Sequence, residues 1–562
     1  MKPYRSGILS NELKNASGRT LMNALGLTRD DYKKPFIGIV NSWNEMHPGH
    51  KHLRDLALEV KYGVYAAGGV PFEFNTISIC DGIAQGHLGM CYVLPSREVI
   101  ADSIELMVGA QSYDGLVFLC GCDKIVPGMA MAAGRLNLPT VFVTGGPMLP
   151  GFFKGKYFSG GWEVREAAGK LTSGEMTQDE YDAMEQSVCA TLGSCPMLGT
   201  ANTMSCMMEI LGLTLPGCAT THAVYSRKVR EAKESGALIV DLVKRDIKVR
   251  DIVTQASLNN GVVMNAAMGG SSNALLHLPA IADEFGYEVT AEDFDKANRN
   301  TPHLLNVKPS GAYSMIDFDQ AGGIPALIKE VRDRLDLSCR TVNGKTWEEI
   351  IPAYDNYNTD VIAPVNKPLH AEGSLAILKG NLCPEGAVVK QTAVSEKMLV
   401  HKGPARVFNS LESCDEAILA GKITHGDVLV IRYEGPKGGP GMREMLSSTG
   451  LLVSYGYGET TALVTDGRFS GATKGPCIGH VAPEAAIGGP IALVEDGDMI
   501  SIDIPNHTLE LLVDEQTLAE RRKSWKPEPT KVRSKYLDRY SAMVGSVWKG
   551  AVLSAPGTDG DK

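Results

Sequence analysis

Two apolar runs that each lead into a Cys-Asp pair constrain this chain more than any other feature. Leu116-Val117-Phe118-Leu119 reads as a strand buried on both faces. It feeds directly into Gly121-Cys122-Asp123-Lys124-Ile125-Val126-Pro127-Gly128. Pro127 suits the opening position of a helix, and residues 129–136 are good helix formers. A thiolate, a carboxylate and an amine therefore share one strand-to-helix turn. Ligands of open α/β sheets bind at the carboxyl ends of strands, where such a turn lies. Taken alone, the turn is equally a helix cap with a buried Cys and a solvated Lys. Recurrence shifts that balance, because a second strand, over 72–79, is expected to end in Cys80-Asp81-Gly82.

The rest of the first half fits a parallel sheet with flanking helices. Residues 36–40 form a strand that ends in Asn41-Ser42-Trp43-Asn44-Glu45, and Pro48-Gly49-His50-Lys51-His52 follows. A helix over 53–67 presents Leu56, Val60 and Val64 on one face. Ser96 is expected to cap a helix through 107, and 140–143 is another apolar strand. Strands alternating with helices indicate a parallel sheet. Residues 151–186 read as a surface excursion with one short helix near its end. Cys189 and Cys195 fall in the following loop, ahead of a helix over 200–211 whose dipole favours a thiolate. Gly269-Gly270-Ser271-Ser272-Asn273 is a small-residue turn, suited to ordinary capping or to holding an anion on backbone N–H groups.

Past Ala363-Pro364-Val365-Asn366-Lys367-Pro368 the texture changes to short β runs separated by Gly, Asp and Pro turns. The expected fold class is therefore α/β, with a β-rich, barrel-like C-terminal domain. Its divisions are 1–366 for the α/β domain, 367–553 for the β-rich domain and 554–562 for a flexible tail. The final helix can pack back on the first domain. A length of 562 residues exceeds what one core usually serves, which agrees with two domains. A net charge of -10 excludes nucleic acid or an anionic membrane as the main partner. With no run of membrane-spanning length and no signal-peptide core at the start, the expected location is the cytoplasm. Twelve Cys without small-protein spacing then point to free thiols, metal ligands or catalysis rather than disulfides.

Two or three thiolates from separate loops suit a soft metal or an iron–sulfur cluster. Two aspartates and a glutamate suit a hard cation such as Mg²⁺. Zinc is the rival, but no Cys-x-x-Cys or His-x-x-x-His pair supports it. A soft cluster beside a hard cation suits a substrate with adjacent oxygens, one of which must leave.

Over nearly its whole length the chain resembles the dihydroxy-acid and sugar-acid dehydratase family. The most specific motifs are Cys122-Asp123-Lys124 with Pro127-Gly128, and Thr465-Asp466-Gly467-Arg468-Phe469-Ser470-Gly471. Leu94-Pro95-Ser96-Arg97-Glu98, Gly199-Thr200-Ala201-Asn202-Thr203-Met204 and Gly479-His480-Val481-Ala482-Pro483-Glu484-Ala485-Ala486 accompany them. The Thr200 and His480 motifs, with the Gly435 to Glu444 stretch, look like the branched-chain amino-acid members. The resemblance implies dehydration of 2,3-dihydroxy-3-methyl acids to 2-oxo acids in valine and isoleucine biosynthesis. It implies Cys122 and Cys195 as ligands of an iron–sulfur cluster, either [2Fe-2S] or [4Fe-4S]. It also implies Asp81, Asp123 and Glu444 as Mg²⁺ ligands, with Lys124 joining them as a carbamate formed with CO₂. Ser470 is the implied base, and the partners are a small dihydroxy acid and a second copy of the chain, as a dimer or dimer of dimers.

There is one departure from the family. Many members place a cluster Cys where this chain has Gly49. Cys80 is the candidate replacement; its alternative reading is a buried strand thiol, and Cys189 is a further candidate. Cys120 and Cys206 read as packing residues. Two other functions remain: a sugar-acid dehydratase with the same machinery, or a non-catalytic iron–sulfur sensor. A sensor has no need of Asp81, Lys124, Glu444 and Ser470.

Overall fold

A computed structural model describes residues 4–11, 13–469, 473 and 475–554. Its N-terminal half is built on four parallel strands: β1 (Phe36–Asn41), β2 (Val70–Asn75), β3 (Gly115–Cys120) and β4 (Thr140–Thr144). They lie in the order β2-β1-β3-β4. All residues of β1 and β3 are buried, as their unbroken apolar runs require for inner strands covered on both faces. Helix Leu53–Ala66 packs against helix Ser226–Arg245 so closely that only glycine fits at the crossing. A Cβ on Gly63 would stand 1.9 Å from Lys233 O, and one on Gly236 would stand 2.1 Å from Val60 O.

The structure departs from the sequence expectations in four places. β2 begins at Val70 and stops at Asn75, well before Cys80. β2 is an edge strand that pairs only with β1, and Asn41, the last residue of β1, is already opposite Asn75. Residues 76–79 have no strand to pair with, and Cys80 instead occupies the N-cap of the short helix Asp81–Ala84. Helix Pro95–Gln111 is opened by Pro95 with Leu94 as its cap, while the Ser96 hydroxyl donates back to Val93 O at 2.7 Å. Pro127 sits third in helix Ile125–Leu136, where its missing N–H would have no helical partner anyway. Residues 151–186 carry far more order than expected. A hairpin of β5 (Gly151–Phe153) and β6 (Lys156–Phe158) leads into helix Gly161–Thr172, and helix Gln178–Val188 follows. Val164, Ala167 and Met184 form a small core of their own with Val188 just beyond.

The C-terminal half closes into a barrel of eight strands. These are β7 (Leu375–Gly380), β8 (Cys383–Lys390), β9 (Val400–Phe408), β10 (Val428–Ile431), β11 (Ala462–Thr465), β12 (Cys477–Ala482), β13 (Met499–Asp503) and β14 (Thr508–Leu511). Their order is β10-β11-β12-β8-β7-β14-β13-β9. Val430, Val464, Ile500, Ile502, Leu509 and Leu511 fill its core. Closure leaves no unpaired edge to aggregate. The two halves meet extensively. Helix Lys535–Met543 returns to the first half, where Tyr536 donates to Pro95 O at 3.1 Å. Just beyond it, Arg97 donates to Gly550 O at 2.7 Å and to Ala551 O at 2.9 Å. Among the described residues no helix is long and apolar enough to cross a membrane. Of the tail, residues 555–562 lie outside the described residues.

Candidate active site

The strand order reverses between β1 and β3: the chain passes from β1 outward to β2, then returns to β3 on the other side. The crevice beyond the carboxyl ends of these two strands is where an open α/β sheet offers a binding site. The loops meet backbone to backbone there. A Cβ on Gly121 would lie 3.1 Å from Gly49 O, so the turn that carries Cys122 needs glycine at its start. His47 and His50 stack beside it, with ring centroids 4.0 Å apart.

Four cysteines converge on this crevice. Cys80 and Cys122 share a hydrogen bond, which lowers the Cys80 thiol to about 7 and, with burial, pushes the Cys122 thiol well up. The Cys122 thiol also donates to Asp81 Oδ1 at 3.6 Å. Cys195 is pushed up by burial and by the negative charges of Asp81, Cys80 and Asp123, so it faces the same group. It is enclosed by protein yet accessible, as a side chain facing a crevice must be. Cys189 is raised by burial and by Cys80, and its own charge acts on Cys195. Cys120 and Cys206 are fully buried in strand and helix, as expected of packing residues.

The hard donors stand beside these thiols. One ligand atom each from Asp81, Cys122 and Asp123 lies within 4.8 Å of the others. Burial, Asp123 and Glu444 drive the Asp81 carboxyl well above its usual range. Burial also acts on Asp123, but Lys124, a hydrogen bond with Asp81 and Arg468 outweigh it and hold that carboxyl low. Lys124 is buried with its amine 3.4 Å from Asp123 Oδ2, and burial together with Arg468 lowers its pKa. Glu444 comes from the barrel half, on a segment bridged to Arg468. It pairs with the Arg468 guanidinium, accepts from Gln85 Nε2 and meets Asn273 Nδ2 at 3.5 Å. Asn273 is itself held by Thr200 Oγ1 at 2.8 Å.

This donor set has the chemistry to hold both groups. Three carboxylates crowd a buried space with one arginine and one neutralising lysine, an arrangement that a divalent cation relieves. Cys122 lies in this group, Cys80 is hydrogen-bonded to it, and Cys195 is near enough to feel the charges of Cys80, Asp81 and Asp123. Every expected ligand in the described residues is thus brought to one crevice. Ser470 lies outside the described residues, although Phe469 before it is buried beside Gly479. Sequence reasoning missed Gln85, Asn273 and Arg468 as partners of Glu444. The sequence marks the Gly269–Asn273 turn as a backbone anion cradle or cap, whereas its Asn273 side chain reaches the site.

A mixed sheet-and-barrel enzyme with this centre has known relatives. Residues 34–350 match the dihydroxy-acid/6-phosphogluconate dehydratase N-terminal family, and residues 360–551 match the corresponding C-terminal family. The chain belongs to this family of dehydratases, which are hydro-lyases. It is 54% identical over 553 residues to a dihydroxy-acid dehydratase of Methanothrix thermoacetophila, covering 98% of this chain and 100% of that one. It is 52% identical over 553 residues to dihydroxy-acid dehydratase 1 of Methanosarcina acetivorans, with the same coverage. A dihydroxy-acid dehydratase of Methanothermobacter thermautotrophicus is 51% identical over 550 residues, 98% of this chain and 100% of that one.

Proposed function

We propose that this chain dehydrates 2,3-dihydroxy-3-methyl acids, such as 2,3-dihydroxyisovalerate, to 2-oxo acids in valine and isoleucine biosynthesis. The observation that carries this reading is identity above half, end to end, with dihydroxy-acid dehydratases. The clustering of Cys80, Cys122 and Cys195 beside Asp81, Asp123, Lys124 and Glu444 supports it.

In this reading Cys80, Cys122 and Cys195 hold an iron–sulfur cluster, and Asp81, Asp123, Glu444 and Lys124 hold Mg²⁺. Lys124 joins as a carbamate, which forms when its neutral amine adds CO₂ and releases a proton. Burial of that amine and the nearby Arg468 charge favour the neutral form such a reaction needs, against the opposing pull of Asp123. When bound, the two groups supply Lewis acidity to the leaving 3-hydroxyl and positive charge to the carboxylate and 2-hydroxyl. The remaining steps belong to the chain. Ser470 takes the proton from C2, and the C2–H electron pair becomes the C2–C3 double bond. The C3–O bond breaks, and that oxygen leaves as water once protonated. The resulting enol loses its 2-hydroxyl proton and gains one at C3, giving the 2-oxo acid. Arg468, Gln85 and Asn273 fix Glu444 so that the cation's position does not wander.

The test is turnover by anaerobically purified protein, with iron and sulfide counted. Rapid conversion of 2,3-dihydroxyisovalerate with poor conversion of aldonates is expected. The reverse preference would establish a sugar-acid dehydratase, and no turnover of either by cluster-replete protein would leave a sensor.

A further inference from the structure

Three imidazoles follow β1 on one short loop, and their hydrogen bonds set one of them apart. His50 Nδ1 lies 2.8 Å from Ser42 O, and His52 Nε2 lies 2.8 Å from Gly145 O. A carbonyl only accepts, so each of these rings uses its N–H there and keeps a lone pair on its other nitrogen. His47 is arranged the opposite way. The Gly49 N–H donates to His47 Nδ1 at 3.1 Å. That lone pair is taken, so the ring's proton sits on Nε2. His47 is 2% exposed, and among the described residues its Nε2 has no partner. A buried N–H left unpaired is costly, and each such case calls for an acceptor.

The loop that carries this donor is clasped between two of the thiol-bearing turns. Pro48 O accepts from Gly193 N at 3.0 Å, two residues before Cys195. Gly49 O would lie 3.1 Å from a Cβ on Gly121, the residue before Cys122. A Cβ on Gly49 would meet His47 Cε1 at 3.2 Å and Nδ1 at 3.5 Å, so glycine leaves the room that the imidazole occupies. Stacking on His50, with ring centroids 4.0 Å apart, holds the ring in that place. Burial lowers His47 to about 4, and Asp123 is the first charge to oppose it, so the ring is within electrostatic reach of the Asp81, Cys122 and Asp123 group.

Resting on the proposed function, which puts an iron–sulfur cluster on Cys80, Cys122 and Cys195, we infer that the His47 Nε2–H donates a hydrogen bond to sulfur of that cluster. The acceptor is a cluster sulfide or a ligating thiolate. His47 is a positioning residue and not a ligand, because the Gly49 N–H on Nδ1 keeps the proton on Nε2 and denies iron that lone pair. The Lewis-acid position therefore stays open to the substrate. A hydrogen bond to sulfur draws charge from the cluster, favours its reduced form and so raises its potential.

The experiment compares anaerobically purified wild type, His47→Phe and His47→Gln, with iron and sulfide counted in each. A redox titration followed by electron paramagnetic resonance gives the cluster's midpoint potential. Pulsed resonance on the reduced cluster, in protein carrying isotopically labelled histidine, reads any nitrogen coupled to it. Wild type should show one weakly coupled histidine nitrogen, and His47→Phe should lose it. Phe keeps a flat ring but no donor, so its reduction equilibrium should move on the order of tenfold toward the oxidised form, about 59 mV for one electron. The amide N–H of His47→Gln should recover most of that shift, which a merely structural role would not do. A midpoint in cluster-replete His47→Phe equal to wild type would overturn the inference and leave a water as the partner of Nε2. A strongly coupled, iron-bound nitrogen in wild type would overturn it in favour of a ligand. If His47→Phe takes up no cluster, the wild-type spectrum decides, and the absence of a weakly coupled nitrogen there overturns the inference. Wild type that holds no iron would refute the cluster of the proposed function itself, whereas an unshifted potential in replete protein refutes the role of His47 alone.

Discussion

Two pairs of buried acids, one in each half of the molecule, look alike by charge and differ in their donors. Asp81 and Asp123 belong to the sheet half, and Asp466 and Glu484 to the barrel half. Burial raises Asp81 well above the usual carboxylate range, Asp466 to about 6 and Glu484 to about 7. The barrel pair is satisfied by backbone. Asp466 accepts from the N–H groups of Tyr433, Glu434 and Ala485, and Glu484 from those of Lys437 and Gly438. The sheet pair meets a thiol and an amine instead. A raised pKa therefore does not by itself mark a functional acid; it marks burial, and the partner list separates a clamp from a ligand. Asp466 and Glu484 tie the loops of the barrel together, whereas in the proposed function Asp81 and Asp123 hold the cation.

The largest expected effect sharpens that division from the barrel side. Ser470→Ala should cut turnover on the order of 10²–10⁴-fold, as loss of a positioned base does. Iron content and Mg²⁺ binding should stay at wild-type values, because the ligands lie elsewhere. Turnover near normal would remove Ser470 from the mechanism.

The next effect sets the two acidic pairs directly against each other. Asp123→Asn should weaken Mg²⁺ activation by at least about 10–100-fold, the cost of losing even an outer partner of a metal site. Glu484→Gln should leave Mg²⁺ activation unchanged. Titrating both variants with Mg²⁺ decides the matter, and equal losses in the two would abolish the distinction drawn here.

Much of this site was legible in the sequence because the sheet-side residues proposed as ligands follow strands at short range. Cys122-Asp123-Lys124 comes just after β3, and an unbroken apolar run announces such a strand. Cys80-Asp81 was found for a partly mistaken reason, since β2 stops at Asn75 and leaves a loop before them. The length of an edge strand is set by its partner, which a run of apolar residues cannot reveal. Glu444 came from a family motif, because nothing local says that its barrel loop will reach across to a sheet, and Ser470 came from a family motif alone. The same limit hid Gln85, Asn273 and Arg468, whose roles exist only once the halves meet at Glu444. The small core built on residues 151–186 and Val188 escaped because its four apolar residues are spread over two helices among polar ones.

A smaller effect tests the thiols of the sheet half. Cys80→Ser, purified without oxygen, should lose iron or hold it only until air is admitted, with the fold kept by circular dichroism. Cys189→Ser should retain wild-type iron, because Cys189 is not among the residues the proposed function assigns to the cluster. If the two outcomes were exchanged, Cys189 would be the third ligand and Cys80 a hydrogen-bonding neighbour of Cys122.

The smallest effect concerns stability and belongs to the barrel pair alone. Glu484 titrates near 7 when folded, against 4.5 for the free side chain, so the folded state holds its proton more tightly than the unfolded state does. A raised carboxyl pKa gives stability that is fully present below the unfolded value and is lost as pH rises through the folded one. The window therefore runs from about pH 4.5 to about pH 7, and over it the contribution from Glu484 shrinks by on the order of 3 kcal/mol. Asp466, raised to about 6, acts in the same direction. Wild-type apoprotein should melt at a lower temperature at pH 8 than at pH 5.5. Glu484→Gln keeps an uncharged side chain of the same shape at every pH, so its melting temperature should fall less between these values. The sheet pair offers the contrasting case, because bound Mg²⁺ favours ionised Asp81 and Asp123 and should stabilise the protein more as pH rises. Melting curves with and without Mg²⁺ at both pH values, for wild type and Glu484→Gln, separate the two. A variant whose pH slope matched wild type would mean that Glu484 is ionised in the folded barrel, with the two backbone N–H groups sufficient to hold its charge.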